Sequence, residues 1–304
     1  MVGGSNTLSK TGGKVLYNLK DGHFKGELLV VNHREPEVQG LRTFTDVRKL
    51  PQVDLAILAI AAKYCVEAVE VLAKQKGTKA FIILSAGFSE ENEQGAKLEK
   101  QIVKIISSVN GSLIGPNCIG FLNSNYSGIF TTPIPKLDPM GCDLISGSGA
   151  TAVFIIESGI PKGLTFSSVF SVGNSTLMGV EDVLKYMDES FDPKTSSKVK
   201  ILYIENIKNP EMLLKHASSL IHKGCRIAAI KSGSSSAGSG PVGQGSLVSI
   251  AADGNIDDFG IIFLDSFVVI ACLPHPGGTV IVHKDLRRLR QLVDNPPALL
   301  TIQI

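Results

Sequence analysis

The sequence predicts an α/β protein made of two doubly wound domains, in which helices cover both faces of a parallel sheet. Continuous apolar runs such as GELLVV (26–31) and VDLAILAI (53–60) alternate with stretches whose apolar residues recur every three or four positions. The first pattern is typical of buried parallel strands, and the second is typical of amphipathic helices. At 304 residues, the chain is long enough to bury two separate cores.

The first domain, a Rossmann-like domain, is assigned to residues 1–127. Its predicted strands are 26–31, 53–60, 80–86 and 112–118, and its predicted helices are 11–21, 64–75 and 96–109. This alternation of strands and helices is typical of a doubly wound sheet. A glycine turn begins at residue 3, almost before a strand can form, so we expect the first residues of a larger protein to be missing.

A second, flavodoxin-like domain is assigned to residues 140–250. Between the domains, TTPIPKLDPMG (131–141) interrupts the alternation and predicts a connecting segment. The predicted strands are then 142–148, 164–173, 199–207 and 226–233, and the predicted helices are 149–158, 179–189 and 210–223. For residues 251–304 we expect an irregular tail, for which truncation or a changed reading frame is one explanation.

Composition and charge disfavour several classes of function. An apolar fraction of 43% with a net charge of +2 describes a globular protein, and no basic stripe indicates a nucleic-acid partner. The longest apolar runs are far shorter than a membrane-spanning helix. The five cysteines are widely spread and never form a C-x-x-C pair, which argues against a disulfide framework or a metal site and favours a reducing cytoplasm.

A glycine-rich loop opens the chain before the first predicted helix, and a polar loop follows the predicted strand 26–31; doubly wound sheets bind ligands at such loops. In GGSNTLSKTGG, the backbone N–H groups of Gly3, Gly4, Ser5 and Asn6 suit a phosphate or pyrophosphate, although a turn without ligand is the alternative. The spacing is not G-x-G-x-x-G, so a nicotinamide cofactor is not specifically indicated. Arg34 is placed for a phosphate on a ribose, with a solvated surface arginine as the alternative.

Further candidates lie at the ends of later strands. Asn117 and Cys118 follow the last strand of the first domain, although a buried structural cysteine is the alternative interpretation. In LISGSGA, the free N–H groups at Ser148 and Gly149 would hold an anion at a helix start. A hydrolase is disfavoured, because Ser146 stands where the G-x-S-x-G elbow requires glycine.

Two more loops are expected to face the same space in the second domain. SVGNS contributes Gly173 and Asn174, and YIENIK contributes Glu205.

Seven strings, in order and in register over residues 2–248, resemble the NDP-forming acyl-CoA synthetase superfamily. This family includes ADP-forming acetate–CoA ligases and the α subunit of succinyl-CoA synthetase. The strings are GGSN (3–6), SAGF (85–88), GPNCIGFLN (115–123), SGSGA (146–150), SVGN (171–174), YIENIK (203–208) and IKSGSSSAG (230–238). The resemblance implies a Rossmann-like CoA-binding domain followed by a flavodoxin-like succinyl-CoA-ligase-type domain.

The resemblance also implies roles for the candidate residues. Coenzyme A would bind with its pyrophosphate near Gly3–Asn6 and its 3′-phosphate near Arg34. Its thiol end would approach Asn117 and Cys118. In the family an acyl group passes between CoA and phosphate, and the phosphoryl group then moves through a histidine to a nucleotide, such as ADP. That nucleotide is held by a partner ATP-grasp domain or β subunit, so an oligomer is expected. The residues implied at the phosphate are Ser148, Gly149, Gly173 and Asn174, and Glu205 would orient the histidine.

The relay histidine is missing from its expected place. The family's loop carries a histidine, a small residue, Gly-Ser and Leu or a similar residue, whereas GQGSL (243–247) has Gly243 in the histidine's position, followed by Gln244. Neither side chain can carry a phosphoryl group. We therefore expect the CoA-binding part of an acid–CoA ligase without its phosphohistidine relay. The alternatives are a non-catalytic CoA- or acyl-CoA-binding protein or inactive paralogue, and an acyl or carbamoyl transferase of the same fold.

The six histidines of the chain lie elsewhere, and one of them folding back into the site is a further alternative. They are His23 and His33 in the first domain, His216 and His222 on a helix where solvent is the expected neighbour, and His275 and His283 in the tail. LPHPGGTVIV (273–282) is similar to the opening of a third domain in longer family members, which would make the tail its truncated start.

Overall fold

The computed structural model of the protein describes residues 1–22, 24–131, 134–231 and 270–271. The predicted glycine–serine loop with Gly243 lies outside these residues, as does nearly all of the predicted tail. Within the described residues, no helix combines the length and the apolar character that crossing a membrane requires.

The first domain contains three helices and six strands in the alternating order expected of a doubly wound sheet. They are α1 Thr11–Asp21, β1 Val30–Val31, β2 Glu37–Val38, β3 Leu41–Phe44, β4 Leu55–Leu58, α2 Ala62–Gln75, β5 Ala80–Ile83, α3 Glu93–Ser108 and β6 Ser112–Ile114, with a 3₁₀ turn at Val47–Lys49. β1 pairs with β3 in parallel, and β4, β5 and β6 form a second parallel group.

Val2 joins these two groups into one surface. It bridges Val31 on one side and Leu58 on the other, in parallel with both, so the position of an opening strand is filled. Apolar side chains from both sheet and helices close the core, including Leu72 of α2 and Ile106 of α3, which are fully buried. The apolar runs of the sequence are therefore buried strands, and the stretches with a three- or four-residue period are amphipathic helices that cover them.

Among the described residues, the second domain contains a six-stranded sheet. Its elements are β7 Gly120–Leu122, β8 Leu137–Ser146, α4 Gly149–Gly159, β9 Phe166–Ser171, α5 Val180–Glu189, β10 Val199–Ile204, α6 Pro210–His222, β11 Arg226–Lys231 and β12 Ile270–Ala271, with a 3₁₀ turn at Ile160–Lys162. The strand order is β12-β11-β10-β8-β9-β7. The four central strands are parallel, and the edge strands β7 and β12 are antiparallel to their neighbours.

The segment between the domains differs from its prediction. Residues 137–141, expected to be part of a connection, form the start of β8, and its pairing with β9 shifts register between Leu137 and Cys142. A proline in this stretch, Pro139, is tolerated because the ladder is irregular there. The chain also reaches the second sheet early, since β7 pairs with β9 through Gly120 and Ser171.

The two sheets meet where the first domain ends. Backbone N–H groups link the turn after β6 to the loop after β9: Gly115 donates to Val172 at 3.2 Å, and Asn174 donates to Pro116 at 2.9 Å. Nearby, the ring of Phe121 stacks on Tyr126 at 4.1 Å and on Phe170 at 5.2 Å. These contacts fix the carboxyl ends of strands from both domains beside each other, which is where the candidate loops lie.

Candidate functional site

The first glycine turn requires glycine for steric reasons. Gly3 has φ +86°, and a Cβ there would lie 2.4 Å from the carbonyl oxygen of Ala59. A Cβ at Gly12, in the first turn of α1, would lie 2.0 Å from the carbonyl oxygen of Gly3. The turn is thus pressed against the start of α1, whose N-cap residue Lys10 supplies no side-chain hydrogen bond. The backbone N–H of Gly3, predicted as a phosphate donor, is instead used by the sheet, because it donates to the carbonyl oxygen of Val31 at 3.0 Å. The turn still lies at the positive end of the helix dipole, which favours an anion.

A β-hairpin that was not predicted braces this turn. The side chain of Gln39 donates to the carbonyl oxygens of Ser5 and Gly13, each at 2.8 Å, and its backbone N–H donates to Asn6 at 2.7 Å. Gln39 and Gly40 have φ values of +51° and +78°, as a two-residue hairpin turn requires. The Gln-Gly pair between Val38 and Leu41 was the signal that could have revealed it.

Asn6 itself is occupied by protein groups. Its amide nitrogen donates to the Glu35 carboxylate and, at 3.1 Å, to the carbonyl oxygen of Glu37. The Asn6 side chain therefore holds the hairpin in place and is not free to bind a ligand.

Arg34 lies three residues beyond β1 on an exposed loop that is tied to the glycine turn. Its backbone N–H donates to Asn32 Oδ1 at 2.8 Å, and Asn32 Nδ2 donates to the carbonyl oxygen of Gly4 at 3.0 Å. The guanidinium donates to the ring of His33 at 3.1 Å, which leaves most of its N–H groups in solvent. The structure therefore keeps a cation beside the turn where a pyrophosphate is predicted.

Asn117 and Cys118 are adjacent in sequence but lie in different environments. Asn117 is exposed, has φ +58°, and donates to Asn174 Oδ1 at 3.4 Å across the domain junction. Cys118 is buried, and its thiol donates to the carbonyl oxygen of Ile83 at 3.4 Å. Burial raises the pKa of this thiol to about 12, so it stays protonated at neutral pH. Asn117 is the better placed of the two to meet a ligand.

The start of α4 has the geometry expected of an anion site. Ser148 is the N-cap residue, and its hydroxyl accepts from the N–H of Thr151 at 3.3 Å. Ser146 braces the turn, since its hydroxyl donates to the carbonyl oxygen of Ser148 at 2.7 Å and accepts from its N–H at 3.1 Å. The remaining first-turn N–H groups, including that of Gly149, have no acceptor within the helix and lie at the positive end of its dipole.

Glu205 lies beside this turn. It is exposed at the end of β10, and a Cβ on Gly147 would lie 3.5 Å from the Cβ of Glu205. The turn that carries it is held by the buried Glu181, whose Oε1 accepts from the N–H groups of Lys208 at 2.9 Å and Asn209 at 3.2 Å. The structure thus brings the predicted helix start and the predicted carboxylate together.

Gly173 and Asn174 form a loop that joins the two domains. Gly173 has φ +58°, and the Asn174 amide nitrogen donates to Glu90 at 2.5 Å and to Glu99 at 3.0 Å. Burial opposes ionisation of Glu90, but hydrogen bonds from Asn174 and from backbone N–H groups outweigh it and lower the pKa of that carboxyl. The Asn174 side chain therefore lies among carboxylates, which repel an anion.

The exposure of one histidine differs from the prediction. His216 was expected to face solvent, and this is wrong: it is buried because α6 packs on α5, and its Nδ1 lies 2.8 Å from the Asp188 carboxylate. His222 and His33 are exposed, and His222 contacts the carbonyl oxygen of Ser218 at 2.8 Å. The other three, and the position of Gly243, lie outside the described residues.

A groove of about 790 Å³ connects the two candidate loops. Its lining comes from three parts of the chain: the segment after the glycine turn with the first residues of α1, the chain between the domains, and the first three turns of α4. The lining residues are Leu8, Ser9, Lys14, Ile119, Phe130, Thr131, Gly149, Ala150, Val153 and Glu157. We call this the interdomain groove.

Two family models match the chain in tandem. A CoA binding domain matches residues 1–124, and a succinyl-CoA ligase like flavodoxin domain matches residues 139–267. The second match extends through the loop that contains Gly243.

Similar sequences include subunits and single chains of ligases. The α subunit of an ADP-forming acetate–CoA ligase II from Pyrococcus furiosus is 34% identical over 242 residues, which are 79% of this chain and 51% of that one. A trans-feruloyl-CoA synthase from an unknown prokaryotic organism is 31% identical over 223 residues, which are 71% of this chain and 31% of that one. The chain thus spans about half, or less, of the curated relatives it matches.

Solved structures show the same architecture. A Pyrococcus horikoshii protein superposes with a TM-score of 0.68 at 31% identity, covering 76% of this chain and 52% of that one. A dinucleotide-forming acetyl-coenzyme A synthetase from Ca. Korarchaeum cryptofilum, in complex with phosphate and ADP, superposes with a TM-score of 0.68 at 27% identity. This match covers 76% of this chain and 49% of that one.

Proposed function

The chain belongs to the NDP-forming acyl-CoA synthetase superfamily, and we propose that it is the CoA-binding part of an acid–CoA ligase that acts through acyl phosphate. The observation that carries this proposal is the interdomain groove, which is lined both by the segment after the first glycine turn and by the start of α4. A reaction between a CoA thioester and phosphate requires both ligands to be held side by side, and this groove lies between their proposed sites.

The CoA site is proposed on residues that suit its phosphates. Backbone N–H groups of Gly4, Ser5 and Asn6 bind the pyrophosphate, since glycine allows the backbone to approach closely, whereas the N–H of Gly3 donates to the carbonyl oxygen of Val31. Arg34 binds the 3′-phosphate, because a guanidinium donates several charge-assisted hydrogen bonds. Asn117 is exposed where the thiol end arrives, and Cys118 supports that turn from the core. Coenzyme A supplies the thiol on which the acyl group is carried.

The phosphate is proposed to bind at the start of α4. There the N–H groups near Ser148 and Gly149 and the helix dipole stabilise negative charge on phosphoryl oxygens. The backbone of Gly173 and Asn174 completes the junction, while the Asn174 side chain holds the CoA-binding domain in place. Glu205 is proposed to orient a histidine that enters this space.

The complete reaction requires parts that the described residues do not supply. Gly243 stands in the relay histidine's position, so we propose that this chain lacks its own phosphohistidine. We further propose that ADP or ATP is bound by an ATP-grasp β subunit or domain, in an oligomer, as the subunit designation of the Pyrococcus furiosus relative suggests.

The glycine at position 243 also favours a second function, a CoA- or acyl-CoA-binding protein without catalysis. Such a protein keeps the turn, the groove and Arg34 and has no need of the relay.

Substitution of Arg34 tests the CoA site. Arg34→Ala is expected to weaken CoA about tenfold or more, because it removes hydrogen bonds between charged groups, and to leave dephospho-CoA nearly unchanged. Isothermal titration calorimetry with both ligands measures the difference. Arg48→Ala is the matched control, since the Arg48 guanidinium already pairs with Asp46 and Glu67. If CoA and dephospho-CoA lose affinity equally, Arg34 does not bind the 3′-phosphate.

Restoration of the histidine tests the relay. The natural chain, with a β-type ATP-grasp partner and labelled nucleotide, is expected to form no acid-labile, base-stable phosphoenzyme, whereas Gly243→His is expected to form some. Mass spectrometry locates the label. A phosphohistidine on the natural chain contradicts the loss of the relay. A Gly243→His chain that binds CoA but takes no label favours the binding protein.

A further inference from the structure

The loop that follows β5 lies between the two ends of the proposed CoA site, which is the proposed function on which this inference rests. The proposed pyrophosphate turn is pressed against Ala59, just after β4, and the proposed thiol end lies at Asn117, just after β6. Strand β5 pairs in parallel with β4 on one side and with β6 on the other. The pantetheine arm of coenzyme A, which joins the pyrophosphate to the thiol, therefore crosses the loop after β5. We call this loop, residues 85–92, the arm loop.

A carboxylate of the arm loop satisfies the backbone of the same loop. Glu90 Oε1 accepts from the N–H groups of Gly87 at 2.7 Å and Phe88 at 3.1 Å, and Gly87 has φ +103°. The Phe88 side chain is fully buried, and a Cβ on Gly95, in the first turn of α3, would lie 2.1 Å from the Phe88 carbonyl oxygen. The loop is thus anchored at Phe88, and the path of its remaining residues depends on where the Glu90 carboxylate is held.

Asn174 of the second domain holds that carboxylate. Its amide nitrogen donates to Glu90 Oε2 at 2.5 Å and to Glu99 Oε2 at 3.0 Å, and Glu99 in turn accepts from the hydroxyl of Ser89 at 2.8 Å. Because carboxylates only accept hydrogen bonds, they take both hydrogens of the amide, and the amide oxygen is left to accept from Asn117 Nδ2 at 3.4 Å. One side chain therefore connects the arm loop to the residue at the proposed thiol end.

The position of Asn174 does not depend on its side chain. The segment 172–178 runs beside β6, and its backbone N–H groups donate to carbonyl oxygens of residues 113–116 at 2.9–3.4 Å. The shortest of these hydrogen bonds comes from the N–H of Asn174 itself, to Pro116. Substitution of the Asn174 side chain therefore leaves the domains joined and changes what reaches the arm loop.

We propose that Asn174 and Glu90 are a positioning pair, through which the second domain fixes the arm loop for the pantetheine arm of coenzyme A. Neither side chain needs to touch the ligand, since Glu90 acts through the backbone N–H groups that it accepts from. A loop that already has its bound conformation costs less to order when the ligand arrives, which strengthens binding of the part of CoA that lies on it.

Isothermal titration calorimetry on the full chain tests the pair with two probes, CoA and adenosine 3′,5′-bisphosphate, because the second probe lacks the pantetheine arm. Asn174→Asp places a third carboxylate beside Glu90 and Glu99. It is expected to weaken CoA about tenfold and adenosine 3′,5′-bisphosphate less than about twofold. Asn174→Ala removes the hydrogen bonds without adding charge and is expected to weaken CoA about threefold.

A reversed network separates the hydrogen bonds from other effects of the substitution. In the triple variant Asn174→Asp, Glu90→Gln, Glu99→Gln, the two glutamine amides donate to the aspartate, and each glutamine keeps its oxygen for the arm loop. This variant is expected to bind CoA within about threefold of the natural chain. Asn110→Asp is the matched control, because Asn110 is exposed at the opposite, amino end of β6, and it is expected to leave both affinities unchanged.

The positioning pair is wrong, while the CoA site stands, if Asn174→Asp weakens both probes equally or leaves CoA affinity unchanged. The same conclusion follows if the triple variant, shown to be folded by circular dichroism, binds CoA no better than Asn174→Asp. If neither probe binds to the natural chain, the proposed function fails first, and this inference fails with it.

Discussion

The two domains of this protein differ in what they bury. In the described part of the first domain, the buried polar side chains are uncharged ones such as Asn18 and Thr78. In the second domain, buried side chains include ionisable ones: Asp143, Glu181, Asp188, Lys200 and His216. Both domains use the same α/β architecture, so the fold itself does not dictate whether charges are buried.

The difference shows where each domain is vulnerable. The first domain depends on close backbone contacts around its glycine turn, where an added methyl group has no space. The second domain depends on partners for buried charges, because an uncompensated charge in a low-dielectric interior is strongly unfavourable. Three substitutions test this contrast, and they follow from the largest expected effect to the smallest.

Removal of one partner from the buried ion pair is expected to have the largest effect. Lys200 donates to Asp143 and to the carbonyl oxygen of Ser197 at 2.9 Å, and Ser168 donates to Asp143 at 2.5 Å. Lys200→Ala leaves the carboxylate without its cation and is expected to lower the free energy of unfolding by about 3–5 kcal/mol. Urea unfolding followed by circular dichroism measures this change.

The control for this prediction is an exposed pair in the same domain. Lys185→Ala removes the partner of Glu189 on the surface of α5 and is expected to cost less than about 0.5 kcal/mol. The double substitution Asp143→Leu with Lys200→Met is expected to recover most of the loss, because it buries no charge. A cost for Lys200→Ala as small as that of Lys185→Ala contradicts the importance of the buried pair.

In the first domain, Gly12→Ala is expected to cost about 2 kcal/mol and to weaken CoA binding. The added Cβ meets the Gly3 carbonyl oxygen, a backbone atom that can move only if the glycine turn shifts. The loss comes despite the better helix propensity of alanine. Thermal unfolding and CoA titration measure the two effects.

Gly77→Ala separates crowding from backbone strain. Gly77 has φ +71° and open space around its Cβ position, so alanine there is expected to cost about 1 kcal/mol from conformation alone, with CoA affinity unchanged. If Gly12→Ala is no worse than this variant on either measure, the glycine turn is less constrained than its contacts indicate.

The smallest expected effect is a dependence of second-domain stability on acidic pH. Burial opposes ionisation of Asp188, but hydrogen bonds from Lys223, His216 and Ser219 outweigh it and lower its pKa. Because the folded pKa is below the unfolded value of about 3.9, ionised Asp188 stabilises the fold above that value, and this stabilisation is lost as the pH falls further. Asp188→Asn is expected to flatten the acid side of the stability profile, whereas Glu189→Gln, at an exposed carboxyl, is not. Parallel profiles for natural chain and Asp188→Asn would contradict this role.

Much of the fold could be predicted because it follows from local pattern. Helix α1 has the bounds expected, Thr11–Asp21, and α6 ends within one residue of its expected end. The hairpin at Gln39 was missed because its strands, Glu37–Val38 and Leu41–Phe44, are too short to show a period. Residues 137–141 were assigned to a connection because Pro139 hides a strand whose register is irregular.

The candidate site was predicted as a set of loops, and its detailed contacts were not. The glycine turn, Ser148 and Glu205 could be found because parallel strands place their following loops at one edge. That Asn174 would reach Glu90 and Glu99 could not be predicted, and neither could the choice between a ligand-facing and a buried Cys118, since each depends on residues far away in the chain.

The sequence by itself determined the two α/β domains and the glycine turns at strand ends. These depend on residue type and on spacing within a few turns of chain, which the physics of strands and helices translates directly into structure. Only the tertiary structure decided that His216 is buried against Asp188, and that Leu8 and Val153 line one groove. The first pairing joins residues 28 positions apart and arises from the packing of α6 on α5 within the second domain. The second joins residues well over 100 positions apart and arises from how the two domains pack. No local pattern encodes either of them.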